Sequence, residues 1–287
     1  RQTPTARNAT HVAPLPASSP IPAIDVHAHF GDYLRGDQPL IDDWLSLSPQ
    51  QVVARAAECH VECTIASPLA GLLPRGQSDP VAANQHAALV AHETPGLLQW
   101  VIVHPLVPET FRQAEQLLQE PHCVGIKLHP EEHCYPISDH GQALFELAAQ
   151  HNAVVLVHSG DPLSWPADFL PWANEFPNLT LLLAHLGNGG GAGGDPTLQV
   201  RAIQQSRHGN VFVDTSSARS ILPGLVEWAV QEVGADKILF GSDTPLYSTA
   251  MQRTRIDYAE IPEEAKRAIL YMNAQRILPL PTVAHTD

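Results

Sequence analysis

Histidines occupy the positions where this chain could do chemistry. The run IDVHAHF, residues 24–30, sets His27 and His29 two positions apart in an apolar stretch. Side chains alternate across a strand, so i and i+2 share a face. As a strand, the run is expected to show Asp25, His27 and His29 on one side and Val26 and Ala28 on the other. Two adjacent imidazoles suit one metal ion, with bonds of about 2.0–2.1 Å for zinc. Further short apolar runs also end on polar residues: His104, then Lys127 and His129, then His158, His185, Asp214 and Asp243. His86 and His92 fall inside helical patterns and read as ordinary solvated residues.

The elements that must position these groups form a regular alternation. Eight runs rich in Val, Ile and Leu span 23–29, 62–69, 98–105, 124–130, 153–159, 179–186, 211–216 and 238–243. Near-continuous apolar character is what parallel strands covered on both faces require. Helical patterns fill the gaps. Three open on a capping residue followed by proline, Ser48–Pro49, Asp79–Pro80 and Asp195–Pro196, a start signal in which proline occupies the first helical position. Others cover 109–120, 139–151, 167–176, 220–233 and 262–276. Eight β–α units predict an α/β fold, a single (β/α)8 TIM barrel over 23–287, with a doubly wound open sheet as the alternative. In a barrel the active site lies at the C-terminal ends of the strands, where the polar residues cluster. The segment 30–47 is a candidate lid.

Composition narrows the function. The net charge of −14 argues against a nucleic-acid partner, since phosphates reward basic surfaces. No apolar run approaches the roughly 20 residues of a membrane span. Four cysteines without a C-x-x-C pair predict reduced thiols and a cytoplasmic location. Histidine, with 16 copies, equals lysine and arginine combined. Residues 1–22, rich in Pro, Ala, Thr and Ser, are expected to form a flexible arm. The chain opens on Arg1 rather than Met, leaving room for a preceding segment.

Taken in order, DVHAHF, GIKLHP, VLVHSG, LLLAHLG, VFVDTS and LFGSDTP resemble the amidohydrolase superfamily. Within it they are most similar to the branch containing aminocarboxymuconate-semialdehyde decarboxylase and related metal-dependent hydrolases. The resemblance covers about residues 23–280. It implies metal ligation by His27, His29, His158 and Asp243, with His185 as a catalytic or second-metal group. It also implies a small-molecule substrate and, as in relatives, a homodimer.

The residue chemistry points the same way. Imidazoles and a carboxylate suit a borderline divalent metal such as Zn2+, leaving a position for water. Asp243 could pass a proton from such a water to a leaving group, and His185 could polarise a carbonyl. Lys127 shares a strand face with His129, and so apolar a strand needs a reason for an ammonium. It is expected either to hold a substrate oxyanion beside a single metal or, carbamylated as in dihydroorotase-like relatives, to bridge two. Candidate substrate contacts are Arg219, Trp165 and His129, with Arg35, Arg75 and Trp172 also in segments that follow strands. The expected reaction is hydrolysis of a small ester, lactone or amide, and the alternative is non-oxidative decarboxylation of a small carboxylic acid. A barrel that binds a metabolite without turning it over is a third reading. GGGAGG, residues 189–194, matches a dinucleotide-binding fingerprint with Asp214 following 20 residues later. It lies in the sixth β–α unit, however, whereas such fingerprints open a nucleotide-binding domain.

Overall fold

The computed structural model describes residues 21–36, 38–190 and 194–281. Most of the expected arm, and residues 191–193 of the glycine-rich run, lie outside the described residues. Eight parallel strands pair in sequence order: β1 (Ala23–Phe30), β2 (Val61–Pro68), β3 (Leu97–Ile102), β4 (Cys123–Leu128), β5 (Val154–Val157), β6 (Thr180–Leu183), β7 (Val211–Asp214) and β8 (Ile238–Leu239). The residues following β8 close the ring on β1. Val26 N donates to Phe240 O (2.9 Å), Asp243 N to His27 O (2.8 Å) and His29 N to Thr244 O (2.7 Å). The fold is a (β/α)8 barrel.

The strand alternation sorts two apolar layers. Every strand contributes to an interior cluster that includes Ile24, Val26, Ile65, Trp100, Leu156, Leu182, Phe212 and Leu239. Val101, Ile126, Val155, Val157, Leu181, Leu183 and Val213 instead pack outward on helix residues such as Ala114, Leu144, Ala148 and Ala229. Trp100 fills the barrel, its Nε1 donating to Val26 O at 2.9 Å. Gly125 on the neighbouring strand makes room for that indole, because a Cβ there would sit 2.7 Å from the ring and collide with the Val154 carbonyl.

Helix starts follow their signals with one difference. Ser48 and Gln51 form a reciprocal capping box ahead of Pro49–Ala57, and Asp79 accepts from Ala82 N before Pro80–Glu93. Asp195 instead accepts from Thr197 N and Oγ1, a local turn that delays the helix to Leu198–Gln205. Among the described residues, no helix is long and apolar enough to cross a membrane.

β1 departs from the simple alternation. Asp25 pairs with Thr64 but Ala28 pairs with Ala66, so β1 carries one extra residue. Such a bulge reverses which side chains face inward. Ile24 and Val26 point into the barrel, whereas Ala28 and Phe30 pack outward beside Leu47, Val52 and Ala87. His27 and His29 thereby reach the cavity at the strand ends. Asp25 does not share their role. Its carboxylate accepts from Ser242 N (2.9 Å), Ser242 Oγ (2.5 Å) and His27 N (3.2 Å), tying the bulge to the segment after β8.

Replacing Gly125 with alanine is expected to destabilise the protein by about 1–3 kcal/mol through overpacking. Chemical denaturation of the two proteins measures it, and equal unfolding free energies would show that Trp100 repacks at no cost.

Candidate metal centre and its cavity

The strand ends surround a cavity of about 700 Å³. Its floor carries His27, His29, His185 and Asp243, and its walls include Tyr33, Arg35, His129, Glu132 and Arg219. Inward parity places His129 and His158 there directly. His185 follows outward-facing Leu183 and reaches the cavity through a left-handed backbone, φ +71°. Asp243 also adopts φ +56°. Such conformations cost a non-glycine residue free energy and persist where surrounding structure enforces them.

Hydrogen bonds set the tautomers. His27 Nδ1 lies 2.9 Å from Asp214 Oδ2, so Nδ1 carries the proton and Nε2 presents a lone pair. His29 Nδ1 lies 3.0 Å from the Ser67 carbonyl, which only accepts, so Nε2 is again the free nitrogen. Both Nε2 atoms face Asp243 Oδ1, at 3.5 Å and 3.2 Å. Two imidazole lone pairs and a carboxylate oxygen converge here, and the cation that meets them in the metal-free chain is the Lys127 ammonium, 2.8 Å from His27 Nε2. This donor set fits a divalent metal ion, and all three ligand atoms lie within 4.8 Å of one another. Asp214 and Ser67 supply the outer hydrogen bonds that orient such ligands.

Electrostatics agree with these roles. Burial, reinforced by the Lys127 ammonium, pushes the His27 pKa down to about 3. Burial alone would raise Asp243, but the His29 contact and nearby imidazoles hold it at about 2. Burial likewise opposes ionisation of Asp214, yet His27 and backbone donors keep it well below the usual carboxylate range. Lys127 is fully buried. Its Nζ sits 2.8 Å from His27 Nε2, and burial lowers its pKa to about 8 against the pull of Asp243 and Asp214.

His158, expected among the ligands, faces another way. Its Nε2 meets Asp161 Oδ2 at 2.8 Å and Glu131 Oε2 at 3.2 Å. Its Nδ1 meets His185 Nε2 at 2.9 Å, while His185 Nδ1 lies 2.9 Å from the Ser216 carbonyl. Since that carbonyl only accepts, His185 Nε2 is an acceptor and His158 must donate to it. Donating from both nitrogens makes His158 an imidazolium. Burial would lower its pKa, but Asp161 and Glu131 hold it above the ordinary value, whereas burial takes His185 down to about 4.

The remaining predicted residues divide. His129 lines the cavity, stacked on His158 at 4.2 Å between ring centroids. Glu132 N donates to its Nδ1 at 3.2 Å. Arg219 and Arg35 also line the cavity. Trp165 is outside the lining and half exposed, and Trp172 stacks on Phe145. Arg75 pairs with Glu131. Sequence reasoning left Asp214 without a role and missed Glu131, Glu132 and Asp161, which directly follow strand-end histidines. Their position beside KLHP and VHSG was the available signal. As for the dinucleotide reading, Asp214 is fully buried against His27, away from any ribose.

Residues 24–280 match the protein family described as Amidohydrolase. No curated protein matches the sequence. Among solved structures, the chain is similar to 5-carboxyvanillate decarboxylase from Sphingomonas paucimobilis, with a TM-score of 0.70, 14% identity, and coverage of 91% of this chain and 100% of that one. It is similar to 2,6-dihydroxybenzoate decarboxylase complexed with 2,6-dihydroxybenzoate (TM-score 0.68, 15% identity, coverage 89% and 98%). A third similar structure is dihydroxybenzoic acid decarboxylase from Polaromonas sp. JS666 with bound manganese and 2-nitroresorcinol (TM-score 0.67, 18% identity, coverage 89% and 96%).

Two outcomes test the metal centre. Asp243→Asn and His29→Ala are expected to lose metal, and Asp214→Asn to weaken binding about 10–100-fold, as read by calorimetric titration and elemental analysis. In the metal-free protein, Lys127 is charged in both states below pH 8, so its burial penalty is fully present there. Between about pH 8 and 10.5 only the unfolded state holds that proton, and stability should rise by on the order of 3 kcal/mol. Unfolding measured across that range should lose the rise in Lys127→Met.

Proposed function

The chain belongs to the amidohydrolase family, and on that premise we propose that it is a metal-dependent decarboxylase of a small carboxylic acid, acting without an oxidant. His27, His29 and Asp243 would hold a divalent ion. Two imidazoles and one carboxylate suit zinc or manganese, with open positions for substrate oxygens. When bound, the ion would polarise those oxygens and favour electron withdrawal from the carbon that loses CO2.

The observation that carries this reading over hydrolysis is where protons reside. Hydrolysis by activated water needs a vacant basic atom to receive the water's proton. Here His185 Nε2 already accepts from His158, and Asp243 Oδ1 faces the two histidine Nε2 atoms with which it would hold the ion. Decarboxylation has the opposite need, because a proton must replace CO2 on carbon. His158 and Lys127 hold protons at neutral pH, on Nδ1 and Nε2 of the one and Nζ of the other. The His158 Nδ1 proton would pass to His185 Nε2, which, once that hydrogen bond opens, would give it to the substrate carbon. His158, keeping Nε2–H on Asp161 and Glu131, would regain its Nδ1 proton from solvent entering the cavity. The decarboxylases named above, with dihydroxybenzoate in one and manganese in another, support the same choice. Arg219 on the opposite wall would take the substrate carboxylate in the ground state, and His129, whose Nδ1 is engaged, would donate from Nε2.

Metal-loaded protein in D2O with 2,6-dihydroxybenzoate, 5-carboxyvanillate and related acids should release CO2 and place one deuterium on the product carbon. His185→Asn should lower kcat by about 10²–10⁴. Turnover of esters or lactones with no CO2 from any acid would establish hydrolysis instead.

A further inference from the structure

Among the carboxylates on the cavity wall, one oxygen stands apart. Glu131 is engaged by Arg75 and His158, and Asp161 by His158 and Asn188. Glu132 is 2% exposed and lines the same cavity. Its Oε1 receives the Arg35 guanidinium, but its Oε2 is buried without a hydrogen-bond partner. A buried acceptor without a donor is destabilising, and a donor from outside the chain would complete it.

We infer that Glu132 Oε2 is a specificity subsite that accepts a hydrogen bond from a substrate hydroxyl remote from the reacting carboxylate. This rests on the carboxylic-acid reading above and narrows it to hydroxylated acids. Arg35 orients the carboxylate and favours its charged form against burial, which raises its pKa, and the same guanidinium lies 5.9 Å from the Tyr33 ring centroid. The chemistry selects a donor. Glu131, Glu132 and Asp161 are offset by Arg75, Arg35 and the His158 imidazolium, so this wall has no spare cation for a second carboxylate, whereas Arg219 lies in the loop after β7. Leu69, Leu72 and Leu73 supply apolar lining for the body of the ligand. A substrate lying across the cavity with its carboxylate toward Arg219 and a hydroxyl at Glu132 meets both groups. An analogue with a methoxy or hydrogen there leaves the oxygen orphaned, the kind of mismatch that gives strong discrimination.

The test compares binding of 2-hydroxybenzoate with its 3-, 4- and 5-hydroxy and methoxy derivatives to metal-loaded wild type, Glu132→Gln and Glu132→Ala, by calorimetry. In wild type one hydroxyl position should improve affinity about tenfold or more over its methoxy counterpart. That ratio should fall to near one in Glu132→Ala and be reduced in Glu132→Gln, with bound metal unchanged. Thermal unfolding without ligand guards against misfolding, because Glu132→Gln keeps an oxygen for Arg35. Binding of these acids with the same hydroxyl preference in the variants, or with no preference in wild type, overturns this inference alone. Failure of every acid to bind the metal-loaded wild type overturns the carboxylic-acid reading and this inference together.

Discussion

The Asp214 carboxylate is the interaction on which the metal centre depends. It is fully buried, and it accepts from His27 Nδ1, His185 N, Ser216 N and Ser216 Oγ. Four donors offset the cost of burying its charge, as a buried carboxylate requires. In return it decides which nitrogen of His27 is free and holds the left-handed turn at His185. The Ser216 hydroxyl, committed to Asp214, can then only accept from His27 and His185, each 2.9 Å away. One anion beneath the floor thus settles proton positions on two imidazoles.

A second constraint is geometric. A regular barrel strand would aim His27 and His29 into the helix layer, where Ala28 and Phe30 now pack. The extra residue in β1 corrects this, and Asp25 anchors it through Ser242. Left-handed backbone at His185 and Asp243 does comparable work at β6 and after β8. Each device costs some stability, which the two apolar layers of the barrel can bear. The result is a rigid floor on which ligand atoms converge without any long side chain having to reach.

Charge is then divided across the cavity. Lys127 lies outside the cavity lining but meets His27 at Nε2, the nitrogen that faces Asp243, so its proton stabilises the floor rather than the walls. His158 carries positive charge between two carboxylates, and Glu131 and Glu132 draw Arg75 and Arg35 toward the rim. The carboxylates of the loops after β4 and β5 are thus matched by cations, while Arg219 from the loop after β7 lines the same cavity.

Much of this was legible from sequence. Apolar runs of strand length, separated by capped helical patterns, specify a (β/α)8 barrel because parallel strands must be covered on both faces. Polar residues at strand ends specify where the site lies, since the barrel geometry leaves them nowhere else to go. The spacing of His27 and His29 singled them out as a pair, and Asp243 joined them as a ligand candidate through the family resemblance. The tertiary structure alone decided which way His158 faces, that Asp25 serves the bulge, that Asp214 governs two imidazoles, and that Glu132 keeps an unpartnered oxygen. Those outcomes depend on distances between residues up to 217 positions apart and on a one-residue change of register. A period-two pattern has no means of recording either, because hydrogen-bond partners, unlike hydrophobic faces, are chosen only once the ring closes.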